Sequence, residues 1–260
     1  MTWATKRQII IASIVCILFG LVSFSIIYPK VNKPPLCTDG KQNGEEAGID
    51  CGGPCNTYCS NQTEPLLIRW SRAFPVVGST YSLVAYVENR NTNAIVRAMP
   101  YEFRVYDEDN TFLAMREGTI KVPPNGPFII FEPGLNLGNR IPKRVVFKFT
   151  KDSPQWVKPD SKKIGKVILT SKDIVVEDTD STPRATATLL NQTSYTINDV
   201  TASIVLYDSD DNAVGVSQTF FSRIEKNSQT PLIFTWPKPF DRTVVRKEII
   251  TTFDLDDANL

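Results

Sequence analysis

The chain of 260 residues contains no histidine, and that absence removes a block of chemistry. No Ser-His-Asp triad, Cys-His pair, His-ligated metal centre or imidazole acid–base can be built from it. It also lacks a dominant charge. Its 29 Lys plus Arg stand against 28 Asp plus Glu, so the basic excess of nucleic-acid binders is missing and no nucleic-acid partner is expected. No glycine-rich phosphate-binding loop occurs, and beyond Asn61 no long window carries a helical apolar period. With these parts missing, neither catalytic residues nor an enzyme activity are expected. What is present is 42% hydrophobic and 22% charged, the composition of a folding chain long enough for one large domain or two ordinary ones.

From Ile9 to Tyr28 the sequence reads IIIASIVCILFGLVSFSIIY, a run without charge that would span the roughly 30 Å of a bilayer core as a helix. A single transmembrane helix over 9–28 is expected, with residues 1–8 as a small cytoplasmic end and membrane lipid as its partner. Lys6 and Arg7 before it and Lys30 after it leave orientation weakly marked. Exported cysteines downstream favour a cytoplasmic N-terminus. The rival is a cleaved secretory signal, for which Ser23-Phe24-Ser25 imitates a small-x-small site. The apolar run continues past it through Ile26 and Ile27. Cys16 follows Ile14 and Val15, unlike a lipoprotein anchor, and reads as a small apolar helix residue.

The other cysteines, Cys37, Cys51, Cys55 and Cys59, lie within CTDGKQNGEEAGIDCGGPCNTYC. A local even set in an exported chain reads as two disulfides, with three pairings open. Gly52, Gly53 and Pro54 oppose a helix between Cys51 and Cys55, so residues 37–59 are expected to form a turn-rich knot. A four-cysteine zinc site is the alternative. Zinc modules bring two close pairs, whereas thirteen residues separate Cys37 from Cys51. Asp39, Asn43, Glu46 and Asp50 form a candidate calcium set, since hard cations take several oxygens from one loop. Their competing role is turn formation. No other cofactor is expected. Cys37, Asp39, Gly40, Asn43, Glu46, Asp50, Cys51, Gly52, Gly53 and Cys55 resemble a Cys-Asp-Gly-rich motif, C-x-D-G-x-x-N-x-x-E-x-x-x-D-C-G-G-x-C, of bacterial surface proteins. The resemblance implies an extracytoplasmic setting and no particular activity.

Beyond the knot, short β-branched and aromatic runs alternate with Pro, Gly, Asn and Asp, an all-β pattern. Tyr101-Glu102-Phe103-Arg104-Val105 and Ala202-Ser203-Ile204-Val205-Leu206 read as half-buried strands. The two regions repeat each other. VYDEDN from Val105 matches LYDSDDN from Leu206 and AYVENRN matches ATLLNQT, at offsets of 101 and 102 residues; further on FIIFEP from Phe128 pairs with PLIFTWP from Pro231, and upstream LIRWSRAFPVV from Leu67 pairs loosely with VILTSKDIVVE from Val167. An internal duplication accounts for all four, giving modules at 64–155 and 164–260 with the strand spacing of an immunoglobulin-like β-sandwich. The series strand, Asn, gap, strand, Leu-Tyr-Asp and turn resembles the FxLYD-type immunoglobulin-like modules of bacterial envelope proteins. Ile204, Leu206, Tyr207, Asp208 and Asn212 carry it in the second copy; the first has Val105 in place of the Leu. The resemblance implies a sandwich used for contact or spacing, without catalytic residues.

Asp107 and Asp208 are therefore expected to serve their turns, each accepting backbone N–H groups just downstream. Trp70, Trp156 and Trp236 are assigned to core or intermodule packing. Nine basic residues against two acids between Arg140 and Lys166 give a local balance of +7, whereas Thr170 to Leu260 carries −6. The near-neutral total hides a dipolar layout that suits docking on an anionic surface or pairing copies head to tail. Lys158-Pro159-Asp160-Ser161-Lys162-Lys163 marks the expected module boundary. Asn61-Gln62-Thr63 and Asn191-Gln192-Thr193 fit the N-glycosylation pattern. The expectation is a mainly β, single-pass protein of the cell membrane, its modules extracytoplasmic and presented to a protein partner in the envelope. The alternative is an accessory subunit of a secretion or pilus machine, its helix packing through Ala12, Ser13, Gly20 and Ser23.

Overall fold

The structure is a computed structural model that describes residues 3–31, 36–151, 154–159 and 168–254. Two compact units divide it, Met1–Cys55 and Asn56–Leu260. The proposed boundary residues Asp160, Ser161, Lys162 and Lys163, together with Lys166 and residues 255–260, lie outside the described residues, as do the side chains of Lys6 and Lys30.

In the first unit Trp3–Val31 forms one helix, α1. Its Arg7–Tyr28 stretch is long and apolar enough to cross a membrane. Ile9, Ile10, Ile11, Phe19 and Phe24 are all exposed, so apolar side chains ring the helix instead of forming one stripe. The helix runs unbroken through Ser23-Phe24-Ser25.

The second unit is almost entirely antiparallel β-structure. The first module contains β1 (Leu67–Pro75), β2 (Thr80–Asn89), β3 (Ile95–Tyr106), β4 (Phe112–Val122), β5 (Gly126–Asn136), β6 (Arg144–Phe149) and the short β7 (Trp156–Val157). The second contains β8 (Leu169–Glu177), β9 (Arg184–Asn191), β10 (Ile197–Tyr207), β11 (Ala213–Ile224), β12 (Ser228–Thr235) and β13 (Arg246–Thr252). Strand order is β1-β2-β5 and β4-β3-β6 in the first module, and β8-β9-β12 and β11-β10-β13 in the second. The same six-strand path is thus traced twice, as the repeated sequence words predict. The offset falls from 102 between Asn89 and Asn191 to 101 between Asp107 and Asp208; β3 carries a register shift between Val96 and Met99, where a bulge absorbs one residue.

Each module closes two sheets over its own core. Leu83, Val87, Phe103, Phe128 and Ile130 anchor the first, and Leu189, Ile204, Leu206, Leu232 and Phe234 the second. A third cluster joins them. Phe74, Val84 and Ile129 from the outer face of β1-β2-β5 meet Val205, Tyr207, Ala213, Val216 and Ile250 from the outer face of β11-β10-β13, with Trp70, Tyr86 and Phe131 packed alongside. The half-buried reading of 202–206 is accordingly corrected. β10 is buried on both faces, Ile204 and Leu206 toward their own core and Val205 toward the first module. An uninterrupted apolar run is what a doubly covered strand requires. The other expected strand does keep a wet face, with Arg104 exposed beside buried Phe103 and Val105.

The first module also extends past its expected end at 155. Ile95 and Val96 pair with Val157 and Trp156, and Thr57 bridges Val157. The last residues of the expected knot, from Asn56, are thereby stitched to the first sandwich.

Candidate functional site

The four cysteines downstream of α1 are all oxidised. Cys37 pairs with Cys55 across 18 positions, and Cys51 and Cys59 are disulfide-bonded as well, so two disulfides form and one of the three possible pairings is selected. Cys16 is the free thiol. Oxidised cysteines offer no thiolate, which removes the zinc alternative.

Of the candidate calcium residues, the carboxylates of Asp39, Glu46 and Asp50 act as acceptors in this knot, while Asn43 donates to two of them. Asp50 Oδ1 accepts from the N–H of Asp39 at 3.0 Å and of Gly40 at 3.1 Å, and its Oδ2 accepts from Gly40 at 2.9 Å. Asp39 Oδ2 accepts from Asn43 Nδ2 at 2.8 Å, and this bond, ahead of the neighbouring backbone N–H groups, holds the Asp39 carboxyl below its ordinary range. Glu46 Oε2 accepts from Asn43 N at 3.3 Å. Among the described residues, the one set of three metal-ligand types converging within 4.8 Å is Cys37, Glu46 and Cys55, two of which are joined in a disulfide. Asn43 Oδ1 is buried without a hydrogen-bond partner.

In the sandwiches the acids that open the repeated turns behave alike. Asp107 Oδ1 accepts from the N–H of Asp109 at 3.1 Å and of Thr111 at 2.8 Å; Asp208 Oδ1 accepts from Asp210 at 2.9 Å and Asn212 at 2.8 Å. The turns then pass through Asn110 and Asp211, both in the left-handed region at φ 57°, where Asn and Asp are the best tolerated residues after Gly. The second carboxylate oxygen faces an arginine in each copy, Arg140 at Asp107 and Arg242 at Asp208. The Arg140 bond is the largest influence on Asp107 and lowers its pKa. At Asp208 burial pulls upward, but the Arg242 guanidinium and then the N–H groups of Asn212 and Asp210 outweigh it, and the carboxyl is held low. Both acids are thus fully engaged as turn locks.

A second duplicated device was missed by sequence reasoning. Asn89 Nδ2 donates to Ala94 O at 3.0 Å and Pro123 O at 2.7 Å, and Asn191 Nδ2 donates to Tyr195 O at 2.8 Å and Glu225 O at 2.9 Å. Each buried amide ties the end of its strand to two later loops. The signal was present, since both Asn stand 102 residues apart at the end of a matched strand. Asn191 belongs to one of the glycosylation patterns, yet it is only 1% exposed. Asn61 is exposed.

The intermodule contact carries its own polar bonds. Tyr86 Oη donates to Glu248 Oε1 at 3.0 Å and Tyr207 Oη to Glu248 Oε2 at 2.9 Å, so one carboxylate receives a hydroxyl from each module. Burial, followed by this carboxylate, pushes both phenols above their ordinary range. Arg72 donates to Ala213 O at 3.2 Å and Asn212 Oδ1 at 3.1 Å, and Lys121 pairs with Asp254. Of the three tryptophans expected in core or intermodule packing, Trp70 lies in this contact, Trp156 in the first core, and Trp236 against the second core, its Nε1 donating to Val216 O at 3.2 Å.

No family model and no curated protein matches the chain. Among solved structures it is similar to a red sea bream transglutaminase, with 10% identity over 72% of this chain and 31% of the other and a TM-score of 0.23. It is also similar to the calcium-binding domain CBD12 of CALX1.1, with 14% identity over 68% of this chain and 75% of the other and a TM-score of 0.22. The chain thus spans about a third of the transglutaminase, and scores this low carry no weight for function.

Proposed function

We propose that this is a single-pass, extracytoplasmic interaction or structural protein of a bacterial cell envelope, in which α1 anchors the chain and the two sandwiches hold a partner or space it from the membrane. The observation that carries this reading is the intermodule cluster around Val84, Val205 and Tyr207. Two modules joined through a buried apolar contact and the shared Glu248 form one stiff body, which suits presentation of a surface. The resemblance to FxLYD-type modules and to the Cys-Asp-Gly motif points the same way, and the oxidised cysteines agree with an extracytoplasmic compartment. The reading gives the chain no catalytic role, because Asp107 and Asp208 are occupied by N–H groups and arginines. Cross-linking at the surface of intact cells, with mass identification of captured envelope proteins, tests it; a stoichiometric complex would favour an accessory subunit of a larger machine, and exclusive capture of cytoplasmic proteins would overturn the reading.

A calcium-stabilised knot is the second reading, carried by the unpartnered Asn43 Oδ1 between Asp39 and Glu46. A calcium-dependent rise in the unfolding midpoint that disappears in Asn43→Ala supports it, and an unchanged midpoint removes it.

A further inference from the structure

Strand β5 is covered on both faces and paired along one edge only. Phe128 and Ile130 pack in the first core and Ile129 in the contact between the modules, and all three are buried. One edge pairs with β2. The other ends the β1-β2-β5 sheet, and among the described residues no further backbone bond reaches residues 128–131. This free edge lines a cleft of about 400 Å³. The cleft's other walls are residues 119–122 of β4, itself an end strand, and Thr201, Phe220 and Thr252 of the second module.

The second module shows which backbone groups face the cleft. Ile129 lies opposite Tyr86 as Pro231 lies opposite Thr188, and Tyr86 and Thr188 stand 102 residues apart, as Asn89 and Asn191 do. Proline has no N–H to give a ladder, so it fits a paired strand where its nitrogen points away from the neighbour. The N–H of Ile129 therefore points away from β2 and into the cleft, and the two-residue period sends that of Phe131 the same way. Free edges are usually blunted by proline or charge. The β12 edge carries Pro231, and β4 carries Lys121, paired with Asp254. Pro127 and Glu132 bracket the β5 edge, but residues 128–131 hold neither proline nor charge. Buried backbone groups need hydrogen-bond partners, and a row of N–H and C=O groups at the strand repeat is matched by another extended chain.

We propose that the free edge of β5 takes an extended segment of a partner protein as an added strand, seated in the cleft between the modules. The proposal rests on the interaction-protein reading and gives it a site and a class of partner. Main-chain bonds to Ile129 and Phe131 hold the added strand. Its side chains alternate between two walls, one row facing apolar Ile120 and Val122 and the other facing Thr201, Phe220 and Thr252. A segment with apolar residues at every second position and polar ones between them fits both.

Hydrogen exchange with residue-level mass spectrometry, on the full-length, oxidised protein in detergent, tests it. The probe is a pool of synthetic peptides of about six residues, the usual strand length, alternating Val, Ile or Phe with Thr, Ser or Lys. The expected result is slower exchange at Ile129 and Phe131 as the pool is added, with β8 and β12 unchanged. Fully N-methylated peptides have no N–H to donate and should protect nothing. Ile129→Pro copies Pro231 of the second module and should weaken the effect roughly tenfold or more; circular dichroism checks its fold, and the N-methylated pool tests the same bonds without a substitution. No protection at the highest peptide concentration, equal protection by the N-methylated pool, or protection confined to another strand would overturn the proposal. So would exchange at Ile129 and Phe131 that is slow in the free protein and rises on deletion of residues 255–260, because the chain would then fill its own edge. An edge that stays free while cell-surface cross-linking captures an envelope protein would overturn this proposal and leave the interaction reading standing.

Discussion

Asp208 Oδ2 lies 2.6 Å from Arg242 Nη1, and the pair Asp107–Arg140 reproduces the arrangement in the first module. Carboxylate, turn and arginine have been copied together. The arginine comes from the segment before β6 in the first module and before β13 in the second, so the pair fastens the β3–β4 and β10–β11 turns to a remote part of the chain.

The pH dependence of stability follows from these pairs. Both carboxyls are lowered from an ordinary value of 3.8. A group whose folded pKa lies below its unfolded value contributes stability that is present above the unfolded pKa and is lost as pH falls through the folded one. The thermal midpoint should therefore hold near neutrality and drop as pH falls below about 4. Asp208→Asn keeps an oxygen for the turn but removes the charge, so its midpoint should be lower at pH 7 and should converge on wild type in acid. Parallel midpoint curves for the two proteins would refute the assignment.

Buried Asn191 makes a different prediction. Asn191→Ala leaves Tyr195 O and Glu225 O without their donor, and about 2 kcal/mol or more of folding stability should be lost in denaturant titration. A loss within experimental error would show that water replaces the amide. In a glycosylating host the folded product should carry glycan at exposed Asn61 and none at Asn191, as peptide mass mapping would show.

Much of this architecture was legible in the sequence because duplication wrote it twice. The Tyr-Asp words of Tyr106-Asp107 and Tyr207-Asp208 located the turns, the alternation through Arg104 located a strand with one wet face, and the uncharged run to Tyr28 located the helix. The intermodule contact was not legible. Val84 and Val205 look like any core residues in sequence, and only the register of their strands shows that Leu83 and Ile204 fill the cores while Val84 and Val205 point outward into the contact. Disulfide pairing was closed to sequence for a similar reason, since spacing alone does not say which sulfurs meet.

The contact between the modules should be cooperative. Val205 is fully buried, and Val205→Asp places an unpaired charge between them. Wild type is expected to unfold in one calorimetric transition and the variant in two. A single transition retained in the variant would mean that the modules are coupled by something other than this cluster.

Removal of the Cys37–Cys55 disulfide frees a segment of 18 positions, and the knot should lose about 3 kcal/mol. Limited proteolysis of Cys37→Ser/Cys55→Ser should cut first between these positions while the sandwiches survive. Simultaneous digestion of knot and sandwiches would contradict the division of the chain into separate compact units.

The anchor and the compartment are tested most directly together, by intact mass of the protein purified from membranes, with thiol labelling before and after reduction under metal-free conditions. The account predicts the full-length mass with one labelled thiol, Cys16, rising to all five cysteines after reduction. A mass short by about 25 residues would mean a cleaved signal and a secreted protein, and five thiols labelled without reduction would contradict the disulfide knot and the extracytoplasmic placement that rests on it.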